Sequence, residues 1–322
     1  MSRPSRPSRP SRPSRPNSLS RTSPPGPAAP ATAFRALHRG GEPLVLPNAW
    51  DVASALALAD AGFPAVGTTS LGVAAAHGEP DGQGLAGVRD ATVALARRLG
   101  DRLPCPYTVD IEGGYGGDGD GAADRVADLV AELAAVGAAG INLEDGLPGG
   151  EGLQPAARQA ELIVAVKERA PGVFLNARID THWLVDAPPP LSAALDRAET
   201  YLAAGADGIF VPGVVADDEM SALVSAVPAP LNILFAPGRH TVSRLADLGV
   251  RRISTGSLLF RTALGAALAA AESVRSGEGQ SGEPGGAGVV EYAQVQRLLE
   301  AGQARCARPS RRAPAGRADR AG

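Results

Sequence analysis

Short apolar runs rich in β-branched residues alternate along the chain with longer Ala- and Leu-rich stretches of helical spacing. The runs "LVLP", "AVGTT", "PYTVDI", "GINLE", "VFLNAR", "GIFVP", "LNILF" and "RRISTG" read as eight strands. The stretches between them, such as Asp51 to Ala61, Ala122 to Val136 and Pro155 to Arg169, read as helices. Eight strand–helix units over about 240 residues is the arithmetic of an α/β fold of the (β/α)8 TIM-barrel type. A doubly wound open sheet is the second reading, but such sheets usually have fewer strands.

Polar residues favour the barrel, because they collect at the carboxyl ends of the predicted strands. Asn48, Trp50 and Asp51 follow the first; Thr68, Thr69 and Ser70 the second; Asp110 and Glu112 the third; Glu144 and Asp145 the fourth; Arg178 and Asp180 the fifth. Pro212 and Thr255 sit at later ends. In a barrel these positions share one rim, where barrel enzymes build their sites.

That rim carries an excess of acid. Asp110 and Glu112 are two residues apart, hence on one face of a strand, and Glu144 and Asp145 end the neighbouring strand. Left ionised and unpaired, such carboxylates raise one another's pKa. Arg178 offsets one charge, and a divalent ion would balance the rest. An all-oxygen set with no His or Cys nearby favours Mg²⁺ or Mn²⁺ over zinc. The competing reading makes Asp110 and Asp145 ordinary caps and Glu112 a solvated loop residue. Around the cluster, "GTTSLG" is either an anion-holding turn or a plain one. Asp81 in "HGEPDG" is good turn chemistry. His182 in "ARIDTHW" is either an acid/base or a satisfied histidine, and His240 reads as a helix-start surface residue.

Composition narrows the partners. The 322-residue chain is 44% hydrophobic, with a net charge of -3 and a pI near 5.9, so it offers no basic field for nucleic acid or an anionic membrane. No apolar run is long enough to span a bilayer. The two cysteines, Cys105 and Cys306, are too few for a disulfide framework and point to a reducing cytoplasm. Residues 2–16 are five copies of Ser-Arg-Pro. From composition, 1–32 is expected to be a disordered tail, 33–275 the barrel, 276–304 a linker with a last helix in "VVEYAQVQRLL", and 305–322 a second disordered tail.

The segments "LPNAWDVASALALADAGFPAVGTTSLG", "DIEGGYG", "INLEDG", "NARID" and "GADGIFVPG", in this order, resemble the isocitrate lyase / phosphoenolpyruvate mutase superfamily from about Phe34 to Ala270. The resemblance implies a Mg²⁺-dependent barrel that makes or breaks a carbon–carbon or carbon–phosphorus bond in a small 2-oxo or 2-hydroxy carboxylate. It implies Asp110, Glu112 and Glu144 as the metal shell. Thr69, Ser70, Leu71 and Arg178 then hold the substrate carboxylate, Trp50 and Asp110 at the same rim join them as candidate substrate-binding residues, and Asp81 is the residue that approaches the transferred group in the mutase branch. It also implies a homo-oligomer, a dimer or a dimer-of-dimers homotetramer, in which a C-terminal helix is exchanged. The loop "GLPGGEGLQP" departs from the family pattern: it has neither the Lys-Cys-Gly-His motif of the citrate-type lyases nor the Lys and Asn of the phosphonate branches. Arg178, Asp81, His182 and Glu151 are therefore the candidate catalytic residues, with Tyr115 a further proton carrier. Three functions follow: an enolate-forming lyase, a phosphonopyruvate-type mutase or hydrolase, and a noncatalytic metabolite-binding barrel.

Overall fold

The computed structural model describes residues 30–277, except 118, 184 and 186, and residues 290–306. Nine parallel strands run β1 (Leu44–Leu46), β2 (Asn48–Ala49), β3 (Val66–Thr68), β4 (Tyr107–Asp110), β5 (Gly140–Glu144), β6 (Phe174–Arg178), β7 (Gly208–Phe210), β8 (Leu231–Leu234) and β9 (Arg252–Ser254). Nine strands make eight staves. Pro47 has no N–H to donate and divides one extended segment into β1, which pairs with β9, and β2, which pairs with β3. The sheet therefore closes into the expected barrel.

Helices α1 (Pro30–Leu37), α2 (Val52–Asp60), α3 (Ser70–Ala76), α4 (Ala86–Arg102), α5 (Ala122–Ala135), α6 (Ala156–Arg169), α7 (Ser192–Ala203), α8 (Asp217–Ala226), α9 (Val242–Asp247), α10 (Leu258–Ser276) and α11 (Tyr292–Cys306) complete the described chain. Alternate strand residues face opposite sides, so Val109, Ile141, Leu175, Ile209, Ile233 and Ile253 pack outward into one cluster with the helices. A separate cluster of Phe34, Leu44, Leu46, Ala65, Ala139 and Phe174 fills the end where the strands begin, with α1 lying across it.

The middle of the barrel is polar. Asn142 Oδ1 accepts from Asn176 Nδ2 at 3.0 Å and from Arg252 Nη2 at 3.1 Å. Arg252 is buried, and its Nη1 has no partner; burial lowers its pKa to about 9, with Asp110 acting in the opposite direction. Nothing in the residue pattern announced a buried arginine there.

Two boundaries move. The helix that closes the barrel begins at Pro30, inside the expected tail, where proline suits a first helical position. The last helix runs on to Cys306. It packs on α2 and α4 of its own chain, with Arg305 Nη1 donating to the Arg102 carbonyl at 3.2 Å. The expected tails over 1–29 and 307–322, and the linker over 278–289, lie outside the described residues. No helix among the described residues is long and apolar enough to cross a membrane.

Candidate active site

The "EGGYGG" turn leaves β4 at Asp110. The Asp110 N–H donates to Thr68 Oγ1 at 2.9 Å, and the Ser70 N–H reaches Asp110 Oδ2 at 3.3 Å. Asp110 Oδ1 is buried without a partner. Beyond it, Glu112 (φ 48°) and Tyr115 (φ 52°) are the two non-glycine residues with positive φ among those described. Such backbone conformations tend to cluster at functional sites. The two side chains meet: Tyr115 OH donates to Glu112 Oε1 at 3.3 Å, and the Gly84 N–H donates to Oε2 at 3.1 Å. Burial, reinforced by Asp81 and Asp110, pushes the Glu112 carboxyl up to about 7. The glycines serve packing. A Cβ on Gly114 or Gly116 would fall 2.8 or 2.7 Å from the Val126 methyls, so only a bare backbone lets this turn lie on α5.

Glu144 and Arg178 are direct neighbours in the β5–β6 register and form an ion pair. Arg178 Nε also holds Asp180 Oδ1 at 2.6 Å, and its guanidinium lies over the Trp183 and Phe210 rings at 5.3 and 5.8 Å. The two acids strengthen the hold of Arg178 on its proton, whereas burial raises the Glu144 carboxyl well above the usual range and Arg178 draws it back. Asp145 turns the other way. Fully buried, it accepts from the Asp180 N–H at 2.8 Å, Arg197 Nη1 at 2.9 Å and Tyr201 OH at 2.7 Å. Of the adjacent acids in "LED", Glu144 thus serves the mouth, while Asp145 anchors the segment that carries Asp180.

A cavity of about 850 Å³ opens above these strand ends and is lined by Leu71, Asp81, Glu112, Tyr115, Glu144 and Arg178, among others. Asp81 is exposed on its loop, yet its surroundings exclude enough water to raise its pKa, and Asp110 adds to the shift. That loop touches the "GLPGGEGLQP" segment, where Gly149 N–H donates to the Gly82 carbonyl at 2.9 Å. Thr69 and Ser70 are buried at the start of α3, and Trp50 packs edge-on against Phe260 of α10 at 5.5 Å rather than lining the cavity.

Three expectations need correction. Glu151 is exposed and does not line the cavity, although Gly150 and Gly152 do, because the glycine-rich turn points it outward. His182 is buried beside the cavity, its Nδ1 engaged by Thr181 Oγ1 at 2.8 Å, while its neighbours Thr181 and Trp183 line the wall. His240 is buried, with Nδ1 accepting the Ala236 N–H at 3.2 Å. Sequence reasoning missed Arg197, Tyr201 and the Gly84 N–H, which are far along the chain from the acids they serve.

Asp110, Glu112 and Glu144 stand at one mouth but do not converge. Among the described residues, no three His, Cys, Asp or Glu side chains are grouped so as to hold a metal ion directly. Glu144 is drawn to Arg178, and Glu112 is held by Tyr115 and Gly84. The partnerless Asp110 Oδ1 still fits a hard cation. Mg²⁺ is commonly held by one or two carboxylates and keeps several waters, so Asp110, with Glu112 and Glu144 at the same mouth, would be the group to hold it.

Residues 34–275 match the family model described as phosphoenolpyruvate phosphomutase. The chain belongs to this family, within the isocitrate lyase / phosphoenolpyruvate mutase superfamily. It is 46% identical over 246 residues to the uncharacterized protein Rv1998c of Mycobacterium tuberculosis, covering 76% of this chain and 90% of that one. It is 33% identical over 206 residues to the 2-methylisocitrate lyase of Bacillus subtilis strain 168, covering 62% of this chain and 64% of that one. Among solved structures, phosphonopyruvate hydrolase complexed with oxalate and Mg²⁺ shares the fold, with a TM-score of 0.73 at 22% identity over 86% of this chain and 97% of that one.

Proposed function

We propose that this chain is a divalent-cation-dependent, lyase-type enzyme that makes or breaks a carbon–carbon bond in a small 2-oxo or 2-hydroxy carboxylate by way of an enolate. The observation that carries this reading is Arg178, held between Glu144 and Asp180 at the floor of the cavity, two strands away from the partnerless Asp110 oxygen. Mg²⁺, or Mn²⁺ in its place, supplies Lewis-acid polarisation of the substrate oxygen that gains charge.

The protein's own groups do the rest. Arg178 binds the substrate carboxylate, and its two acid partners with the Trp183 and Phe210 rings fix the plane of the fork. The turn at Thr69, Ser70 and Leu71 closes that end of the substrate. Glu112 lines the cavity with its carboxyl oriented by Tyr115 and is the group that takes or gives the proton. The absence of Lys, Cys and His from the described cavity wall leaves this pair as the proton carrier the geometry supports best.

Relatives named 2-methylisocitrate lyase and oxaloacetate decarboxylase support carbon–carbon chemistry. One observation favours a phosphonopyruvate-type reaction: Asp81 lines the cavity near Asp110. The noncatalytic reading draws on the same bare loop that lacks Lys, Cys and His. The chain is further proposed to be cytoplasmic and to form a dimer or tetramer through α10, which has no buried residue and exposes Leu264 and Leu268.

Calorimetric titration with oxalate, a planar mimic of pyruvate enolate, tests the reading. Binding that requires Mg²⁺ is expected. Binding indifferent to Mg²⁺, or no binding at all, would sink the cation-assisted site and bring the noncatalytic reading forward.

A further inference from the structure

The cavity is larger than a three-carbon acid fills, and one part of its wall is apolar. Its volume of about 850 Å³ lies near the top of the roughly 300–1,000 Å³ usual for small-ligand sites. Its charged floor comes from the strand ends. Leu71, Val126, Leu147, Leu153, Leu162 and Trp183, from the helices and loops around those ends, supply an apolar wall.

The charges limit what can lie against that wall. Four carboxylates line the cavity, those of Asp81, Glu112, Glu144 and Asp180, against two arginines, Arg158 and Arg178. Arg178 is engaged by Glu144 and Asp180. Arg158 is paired at the rim with Glu161 Oε2 at 2.6 Å and donates to the Gly119 carbonyl at 2.9 Å. With a divalent ion bound and Asp110, which would hold it, counted among the acids, five carboxylates when ionised face two arginines and the ion, so the site has no positive charge to spare. A second or third carboxylate on the substrate would therefore sit among acids, with no uncommitted cation among the described lining residues to receive it.

Resting on the function proposed above, we infer that the substrate is a monocarboxylate whose far end is an uncharged, apolar substituent of several carbons, and that di- and tricarboxylates are excluded. Arg178 and the cation take the carboxylate end, and the leucine wall takes the substituent. Substrate choice then belongs to wall residues outside the charged floor, with Leu147, just before Pro148 in the "GLPGGEGLQP" loop, as a specificity-determining position.

The test is calorimetric titration of the full chain with Mg²⁺ present, using oxalate, then pyruvate, 2-oxobutanoate, 2-oxopentanoate and 2-oxohexanoate, and 2-oxoglutarate as the acid-ended counterpart of 2-oxopentanoate. Affinity is expected to rise roughly fourfold per added methylene, with 2-oxoglutarate at least about tenfold weaker than 2-oxopentanoate. Oxalate binding combined with a flat or falling series, or with preference for 2-oxoglutarate, overturns the inference and leaves the proposed function standing. Failure of oxalate itself to bind overturns both. Leu147→Lys gives an independent check: it should weaken 2-oxohexanoate and strengthen 2-oxoglutarate, and an unchanged ranking counts against the leucine wall.

Discussion

The two ends of the barrel are built from the same strands and solve opposite problems. Where the strands begin, Phe34 stands edge-on to Phe174 with ring centroids 5.5 Å apart, and His38 stacks on Phe174 at 4.5 Å. Burial, helped by Arg252, lowers His38 to a pKa of about 4, so even the titratable group there is neutral at pH 7. Where the strands end, acids whose carboxyls burial pushes up and the paired Arg178 are kept half-dry around an open cavity. One end spends its side chains on closing the fold, and the other keeps charges whose partners are incomplete. A substitution should therefore affect stability at the first end and binding at the second.

The largest effect is expected at the closed end. Phe34 is fully buried between Phe174, His38 and the Arg252 guanidinium. Phe34→Ala should cost about 3–5 kcal/mol of unfolding free energy in a denaturant titration, while the fraction that remains folded binds oxalate as before. Loss of binding in that folded fraction would erase the contrast between the ends. Next comes Asp110→Asn at the open end. Calorimetry should show Mg²⁺-dependent oxalate binding weakened about 100-fold, close to 3 kcal/mol, with the unfolding midpoint little changed. Retained binding would remove Asp110 from the cation site.

Glu112 allows the comparison to be sharpened with pH. Its folded pKa of about 7 lies above the ordinary 4.5. The folded state therefore holds this proton more tightly than the unfolded chain, and stability falls as pH rises from about 4.5 to about 7. Glu112→Gln removes that slope. With chelator present, the variant should match wild type at pH 4.5 and exceed it by on the order of 2 kcal/mol at pH 8. Identical pH profiles would show that the carboxyl is not held in its protonated form.

How far the sequence showed this contrast depends on the range of the interactions. The β-branched runs and the polar residues at their carboxyl ends, Asp110 and Glu144 among them, made the staves and the polar rim legible, because strand geometry is local. Closure of the barrel end by α1 was not, since Pro30 opens its helix inside a stretch whose composition reads as tail. Arg178 could be placed beside Glu144 from strand order alone. The partition of the "LED" acids could not, because it depends on Arg197 and Tyr201, contributed by a helix about 50 residues later. His182 and Glu151 were chosen for their chemistry, but the backbone turns decide where they point, and those turns aim neither one into the cavity.

Asp81 is expected to give the smallest effect and the sharpest choice between reactions. It lies on a turn rather than a strand, is exposed, and reaches the mouth only through the loop pinned by the Gly149–Gly82 bond. If the reaction breaks a carbon–carbon bond with Glu112 and Tyr115 handling the proton, Asp81→Asn keeps the shape of the turn and removes one of four acids. Turnover should then fall by less than about tenfold, under 1.4 kcal/mol in the barrier, and Mg²⁺-dependent oxalate binding should hold or tighten as repulsion with Asp110 is relieved. If Asp81 instead meets a transferred phosphoryl group, the same change should abolish turnover while leaving oxalate binding intact. Steady-state kinetics of Asp81→Asn, with a 4-hydroxy-2-oxo acid for carbon–carbon cleavage and with phosphonopyruvate for phosphoryl transfer, separates these outcomes. Complete loss of kcat would move the chemistry from the floor of the cavity to its loop.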